Sequence, residues 1–200
     1  MTDAAHRVVD LYERHALAWD AERGRNPFER PWLDRFAALL PSRGAVLDIG
    51  CGGAEPIARF FIENGYDIAG ADTSPTLIGL CKDRFPQHEW IVADMRGLRL
   101  GRQFDGVIAW DSFFHLCPQD QRRMFPVFRA HAAAKAALMF TSGPSFGEAI
   151  GTYKNEPLYH GSLDAAEYRT LLAENSFAVV SHVVEDPACG RHTVWLAQFR

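Results

Sequence analysis

Long apolar runs are missing from this chain of 200 residues. The opening segment, Met1 to Asp20, instead carries Asp3, Arg7, Asp10, Glu13, Arg14 and Asp20. It therefore lacks both the apolar core of an export signal and a stretch approaching a bilayer span, and neither export nor membrane association is expected. Paired-cysteine motifs are absent as well. Cys51, Cys81, Cys117 and Cys189 are scattered with no C-x-x-C among them, so free thiols in a reducing cytoplasm are the expectation. His182, Asp186, Cys189 and His192 lie close in sequence, but their spacing matches no familiar zinc pattern and no metal is expected. Nor is there a basic stripe. A net charge of −4 with interspersed signs removes the usual driving force for nucleic-acid binding and leaves a small molecule or a protein as substrate.

What the chain does have is 48% hydrophobic residues, enough to bury one sizeable core in a single domain. Short runs rich in Val, Ile, Phe and Trp recur between longer helical patterns. Strands are expected at Ala45 to Ile49, Asp67 to Ala71, Trp90 to Ala93, Phe104 to Trp110, Ala136 to Thr141, Phe177 to Glu185 and His192 to Phe199. Helices are expected at Ala4 to Asp20, Pro27 to Leu40, Pro56 to Glu63, Pro75 to Arg84, Gln119 to His131 and Asp164 to Glu174, with Ser74, Pro118 and Ser162 marking starts. Helical separation of the first five strands predicts a parallel α/β sheet. The last two are joined only by Asp186 to Arg191, a hairpin turn, so that pair is antiparallel. Trp32, Trp90 and Trp195 are expected in the core.

After the first strand comes Asp48-Ile49-Gly50-Cys51-Gly52-Gly53-Ala54-Glu55-Pro56, a glycine turn leading into a helix, where a ligand approaches the backbone closely. Such a turn alone is equally consistent with plain structure. Asp72 ends the second strand, 20 residues beyond Gly52, where a carboxylate can accept from both ribose hydroxyls. Asp94 ends the third strand, placed to accept from an exocyclic adenine amine. Each aspartate singly is also a plausible helix cap; three consecutive strand ends carrying them are harder to dismiss. A dinucleotide needs its diphosphate at the first helix N-terminus, yet Glu55 stands there in place of the third glycine of G-x-G-x-x-G. A sulfonium-bearing adenosine tolerates that acidity.

These residues resemble the class I S-adenosylmethionine-dependent methyltransferases, in particular the small-molecule branch of the methyltransferase-25 or -11 type, over roughly Val46 to Thr141. The resemblance implies a Rossmann-like three-layer sandwich with a seven-stranded, mostly parallel sheet of order 3-2-1-4-5-7-6, the last strand antiparallel. It implies S-adenosylmethionine as donor and S-adenosylhomocysteine as product. Donor contacts would come from Asp48, Gly50, Cys51 and Gly52, from Asp72 and Thr73, from Asp94 and the Met95 amide, and from Ala109 and Trp110 beneath the methionine moiety. Tyr12 and Arg23 on an N-terminal cap helix would stand near the donor carboxylate, although Tyr12 and Trp19 share a helix face that core packing explains as well. Two departures are Ala54 at a position often glycine, and Ala133-Ala134-Lys135 before the fifth strand.

Methyl transfer to a hydroxyl needs a general base, most often histidine, whereas an amine or thiolate needs little more than positioning. Asp111 and His115, after the fourth strand, and His160, beside Tyr159 in the stretch after the fifth, are the catalytic candidates on the acceptor side. The domain is divided into cap helices (1–40), a donor-binding core (44–141), a substrate-side loop (142–163), and a terminal helix with β-hairpin (164–200). The expected partner is a small-molecule methyl acceptor, for a monomer or homodimer. Methylation of protein or nucleic acid, and non-catalytic donor binding, are the alternatives.

Overall fold

The computed structural model describes residues 2–25 and 28–200; Pro27, where the second helix was expected to begin, lies outside them. Strands β1 (Ala45–Ile49), β2 (Asp67–Asp72), β3 (Glu89–Val92), β4 (Phe104–Ala109), β5 (Ala132–Ser142), β8 (Phe177–Asp186) and β9 (His192–Phe199) form one sheet of order β3-β2-β1-β4-β5-β9-β8. β1 to β5 pair in parallel and β9 runs antiparallel to both neighbours. This is the expected order, with two further strands, β6 (Gly147–Tyr153) and β7 (Glu156–Ser162), set apart as a hairpin.

Central strands are apolar on both faces because helices cover both. Leu47, Val107, Leu138 and Phe140 face helices α6 (Pro118–His131) and α7 (Ala165–Glu174), where Phe113, Phe125, Phe128, Tyr168 and Trp195 complete an aromatic core. Val46, Ile108 and Met139 face the opposite side, against Trp32 and Phe36 of α3 (Arg30–Ala37), Phe60 and Phe61 of α4 (Ile57–Glu63), and Ile78 of α5 (Pro75–Arg84). Pro75 opens α5 behind Ser74, whose hydroxyl caps the Leu77 amide at 3.1 Å. The cap of α7 is Asp164 rather than Ser162, its carboxylate accepting from Ala166 at 2.7 Å.

Three expectations are corrected. The first helix is broken at His15 into α1 (Thr2–Arg14) and α2 (Ala16–Glu22). β3 and β4 are joined by a 3₁₀ turn at Met95–Gly97, not by a helix. The stretch 147–162, read as a loop, is a hairpin in full register from Gly147↔Ser162 to Tyr153↔Glu156. Its two tip residues, Lys154 and Asn155, both have positive φ (51° and 63°), the primed turn that matches strand twist. Asn155 was the available signal; Lys154, which tolerates this conformation poorly, hid it.

Helices α1 and α2 lie over the carboxyl ends of the strands because buried polar contacts tie them there. Asp20, 6% exposed, accepts from Arg84 of α5 through both oxygens at 2.6 Å, and Arg84 also reaches the Gly53 carbonyl at 2.8 Å. Glu13 accepts from the Ser74 and Thr76 hydroxyls. On the far side Arg14 and His15 pair with Glu156 of β7. Removing Asp20 leaves Arg84 partly buried without its partner. Asp20→Ala is expected to loosen α1 and α2 by about 1–3 kcal/mol, seen as faster amide exchange over residues 4–22 with protection of β1, β4 and β5 unchanged.

Candidate active site

Where β1 and β4 end side by side, the chain turns away in opposite directions and leaves a cleft, roofed by α1 and α2. Gly50 (φ 80°) and Gly52 (φ 54°) form its floor in the left-handed region. A Cβ on Gly50 would lie 2.2 Å from that of Ser112, whose hydroxyl donates to the Ile49 carbonyl at 2.7 Å. A Cβ on Gly52 would lie 2.7 Å from the Trp19 indole. Only glycine permits either approach. Ala54, the departure from the family's glycine, also takes positive φ (68°), a conformation costing an alanine roughly 1–2 kcal/mol.

Asp72 receives the Gly52 amide at 3.0 Å on one oxygen and the Ser74 amide at 2.9 Å on the other. It pins the glycine loop to the start of α5, and the residue lines the cleft beside Thr73. Burial raises its pKa, against the pull of those amides. Asp94 caps the turn Met95–Gly97 and pairs with Arg96 (2.9 and 3.0 Å to Nε), which holds its pKa below the ordinary carboxylate value. Arg96 continues to Asp120 at 3.1 Å. Ala71, Leu77, Ala93 and Met95, with Val8 and Val9 of α1, make the wall between the two aspartates apolar.

Tyr12, Asp111 and His115 close the other end of the cleft. The His115 Nδ1 lies 2.8 Å from the Tyr159 carbonyl, so Nδ1 carries the proton and donates. Nε2 then accepts from the Tyr12 hydroxyl at 3.0 Å. Burial pushes the His115 pKa down to about 4 and raises that of Tyr12, keeping both neutral.

The remaining sequence candidates fall elsewhere. Asp48 and Cys51 are buried beneath the loop and do not line the cleft, while Ala109 and Trp110 are buried at the end of β4. Arg23 turns away to pair with the buried Glu29 and stack over Phe28. His160 touches His115 ring to ring (5.0 Å) but opens into a separate groove between Phe114 and the β6–β7 hairpin. Glu55 is buried against Arg59, 2.8 Å away, so its charge is compensated; Asp72, held by backbone amides, now carries the argument against a diphosphate. Trp19, Arg96 and Ser112 belong to the cleft and were not singled out from sequence. For Arg96 the signal was its position two residues past Asp94.

An adenosine fits this arrangement: a diol has the Asp72 carboxylate, a planar base has the apolar wall ending at Asp94 and Met95, and the glycine floor admits backbone contact. Among the described residues no group of acidic, histidine and cysteine side chains could hold a metal ion.

The fold is that of the class I S-adenosylmethionine-dependent methyltransferases. Residues 46–134 match the family described as "Methyltransferase domain". It is 34% identical over 106 residues to magnesium-protoporphyrin O-methyltransferase of Rhodobacter capsulatus, covering 50% of this chain and 45% of that protein. It is 33% identical over 76 residues to the dTDP-3-amino-3,4,6-trideoxy-alpha-D-glucopyranose N,N-dimethyltransferase of Streptomyces venezuelae, covering 38% and 32%. The matched stretches span less than half the length of these relatives. Among solved structures, magnesium protoporphyrin IX methyltransferase (ChlM) of Synechocystis PCC 6803 with bound S-adenosylhomocysteine superposes with a TM-score of 0.74 at 15% identity, covering 98% and 100% of the two chains. CalS10, an amino pentose methyltransferase of Micromonospora echinaspora, gives 0.72 at 16%, covering 94% and 96%.

Burial, with the nearby charge of Asp72, raises the Asp48 pKa to about 7, Arg23 opposing. Because the folded value exceeds the unfolded one, the proton bound in the native state costs stability as pH rises from about 4 through 7. Asp48→Asn removes that loss. It is expected to stabilise the protein by about 1–3 kcal/mol more at pH 8.5 than at pH 5, read from thermal melts at the two pH values.

Proposed function

We propose that this protein is an S-adenosylmethionine-dependent methyltransferase acting on a small molecule. The observation that carries the reading is the convergence of three consecutive strand ends, bearing Gly50 and Gly52, Asp72, and Asp94 with Met95, on one cleft. Asp72 would hold the ribose hydroxyls, and the Asp94–Met95 corner with Val8 and Val9 would hold the adenine. When bound, the donor supplies an electrophilic methyl on a cationic sulfur. The protein's part is to bind, orient and exclude water: α1 and α2 roof the cleft, and neutral Tyr12 and His115 close its end.

The relatives' names support the reading, and both an O- and an N-methylating protein are among them, so likeness alone does not choose the acceptor atom. A nucleic-acid acceptor is disfavoured by the net charge of −4 and by Asp111-Ser112-Phe113-Phe114, where an amine-methylating nucleic-acid enzyme would carry Asn/Asp-Pro-Pro-Tyr/Phe. No described helix is long and apolar enough to cross a membrane, and all four cysteines are free, in keeping with a protein working in the cytoplasm.

Asp72→Ala is expected to weaken S-adenosylhomocysteine binding by roughly 1–3 kcal/mol through lost charge-assisted hydrogen bonds. Titration calorimetry checks this, and unchanged affinity in a folded variant rejects the role. Incubating a metabolite extract with isotopically labelled donor methyl and reading products by mass spectrometry should reveal a labelled small molecule; label found only on protein or nucleic acid would reject the acceptor class.

A further inference from the structure

The end of the cleft away from the donor aspartates is built around Asp111, which sits in the left-handed region (φ 48°) and is fixed there by its amide donating to the Thr141 hydroxyl at 2.9 Å. One carboxylate oxygen, Oδ1, takes His192 Nε2 at 2.9 Å, with the Thr141 hydroxyl 3.5 Å away. His192 Nδ1 meets the Cys189 carbonyl at 2.9 Å. A carbonyl accepts only, and so does a carboxylate, so both ring nitrogens donate and His192 is an imidazolium. Trp110 stacks on its ring at 5.6 Å and Phe28 flanks it. Burial there would lower its pKa, but Asp111 and the Cys189 carbonyl, with buried Glu29 adding its charge, outweigh that and raise it. His192 thus occupies Oδ1 from behind; among the described residues no hydrogen bond reaches Oδ2, and the side chain is 28% exposed into the cleft.

Of the three candidate bases for a hydroxyl acceptor, Asp111, His115 and His160, the two histidines are committed otherwise. His115 is neutral, with Nδ1 on the Tyr159 carbonyl and Nε2 on the Tyr12 hydroxyl. His160 faces the separate groove. The charges lining the cleft are Asp72, Asp94, Asp111 and Asp120 against Arg96, which is spent on Asp94 and Asp120, with His6 at the rim. At this end the acceptor left without a partner is Asp111 Oδ2, and a donor that carries positive charge makes the stronger bond to it.

We infer that the methyl acceptor is an amine, bound as its ammonium form by Asp111 Oδ2, with His192 as the positioning residue that keeps Asp111 turned toward the cleft. The inference rests on the methyltransferase reading. An N–H donated to Oδ2 fixes the direction of the nitrogen's remaining valence, and the proton the ammonium must release before it can act as a nucleophile passes to water; no bond to carbon changes in that step. A hydroxyl gains less at this position because it brings no charge to its hydrogen bond with Oδ2.

The test uses the full chain saturated with S-adenosylhomocysteine, titrated with benzylamine against benzyl alcohol and with cyclohexylamine against cyclohexanol. Failure of S-adenosylhomocysteine itself to bind, seen before any amine is added, overturns the methyltransferase reading and this inference with it. With the product bound, each amine should bind at least about tenfold tighter than its alcohol. In Asp111→Asn that preference should vanish, and the ¹⁵N signals of the His192 ring, doubly protonated in the parent protein at pH 7, should move to those of a neutral ring. His192→Gln, which keeps a donor facing Oδ1, should retain part of the preference. Alcohols binding as well as amines, neither class binding, or a preference that survives Asp111→Asn would each overturn the assignment. Thermal melts of both variants separate loss of fold from loss of recognition.

Discussion

The contact between the Gly52 backbone and the Trp19 indole is the constraint on which the cleft depends. It leaves no room for a side chain, so the loop after β1 must be glycine where the roof descends onto it. The same loop is held from below by the amide of Gly52 on Asp72 and from the side by Ser112 against Gly50. Floor, wall and roof therefore meet within three residues. Cys51 and Cys81 sharpen the point from within the core: both thiols reach the Gly52 carbonyl, at 3.7 and 3.1 Å, so the peptide is fixed on both sides.

Electrostatics divides the site into two regimes. At the donor end the carboxylates are managed by backbone amides and by burial, which leaves Asp72 neither paired with a cation nor exposed. At the rim they are managed by arginine, as at Asp94 and Asp120. Asp111 differs from both, since its partner is an imidazolium whose own geometry is set by the β8–β9 turn and by Trp110. Tyr12 and His115 form a neutral seal between the two regimes.

The strands and the succession of Gly50, Gly52, Asp72 and Asp94 could be read from sequence because each is a local pattern: apolar runs of strand length, a glycine turn, an acidic residue at a strand end; the order of the strands in the sheet came from the family resemblance. Side-chain direction could not be read that way. Arg23 was assigned to the donor on likeness, and turned instead to Glu29, 6 residues along, because that buried carboxylate demanded a cation. Glu55 was read as a free charge, and i,i+4 pairing with Arg59 removed it. The hairpin at 147–162 escaped because one face is exposed and its turn lacks glycine. His192 was weighed only as a metal ligand; what gives it a role is Asp111, 81 positions earlier in the chain and brought alongside only by the antiparallel return of β9.

The hairpin of β6 and β7 stands outside the main sheet and meets the rest of the protein through α1, α6 and the turn after β4, and its tip reaches Glu22 of α2. Because α1 and α2 also bring Val8, Val9, Tyr12 and Trp19 into the cleft, any rebuilding of the hairpin has to be matched by the cap and, through Trp19, by the glycine loop.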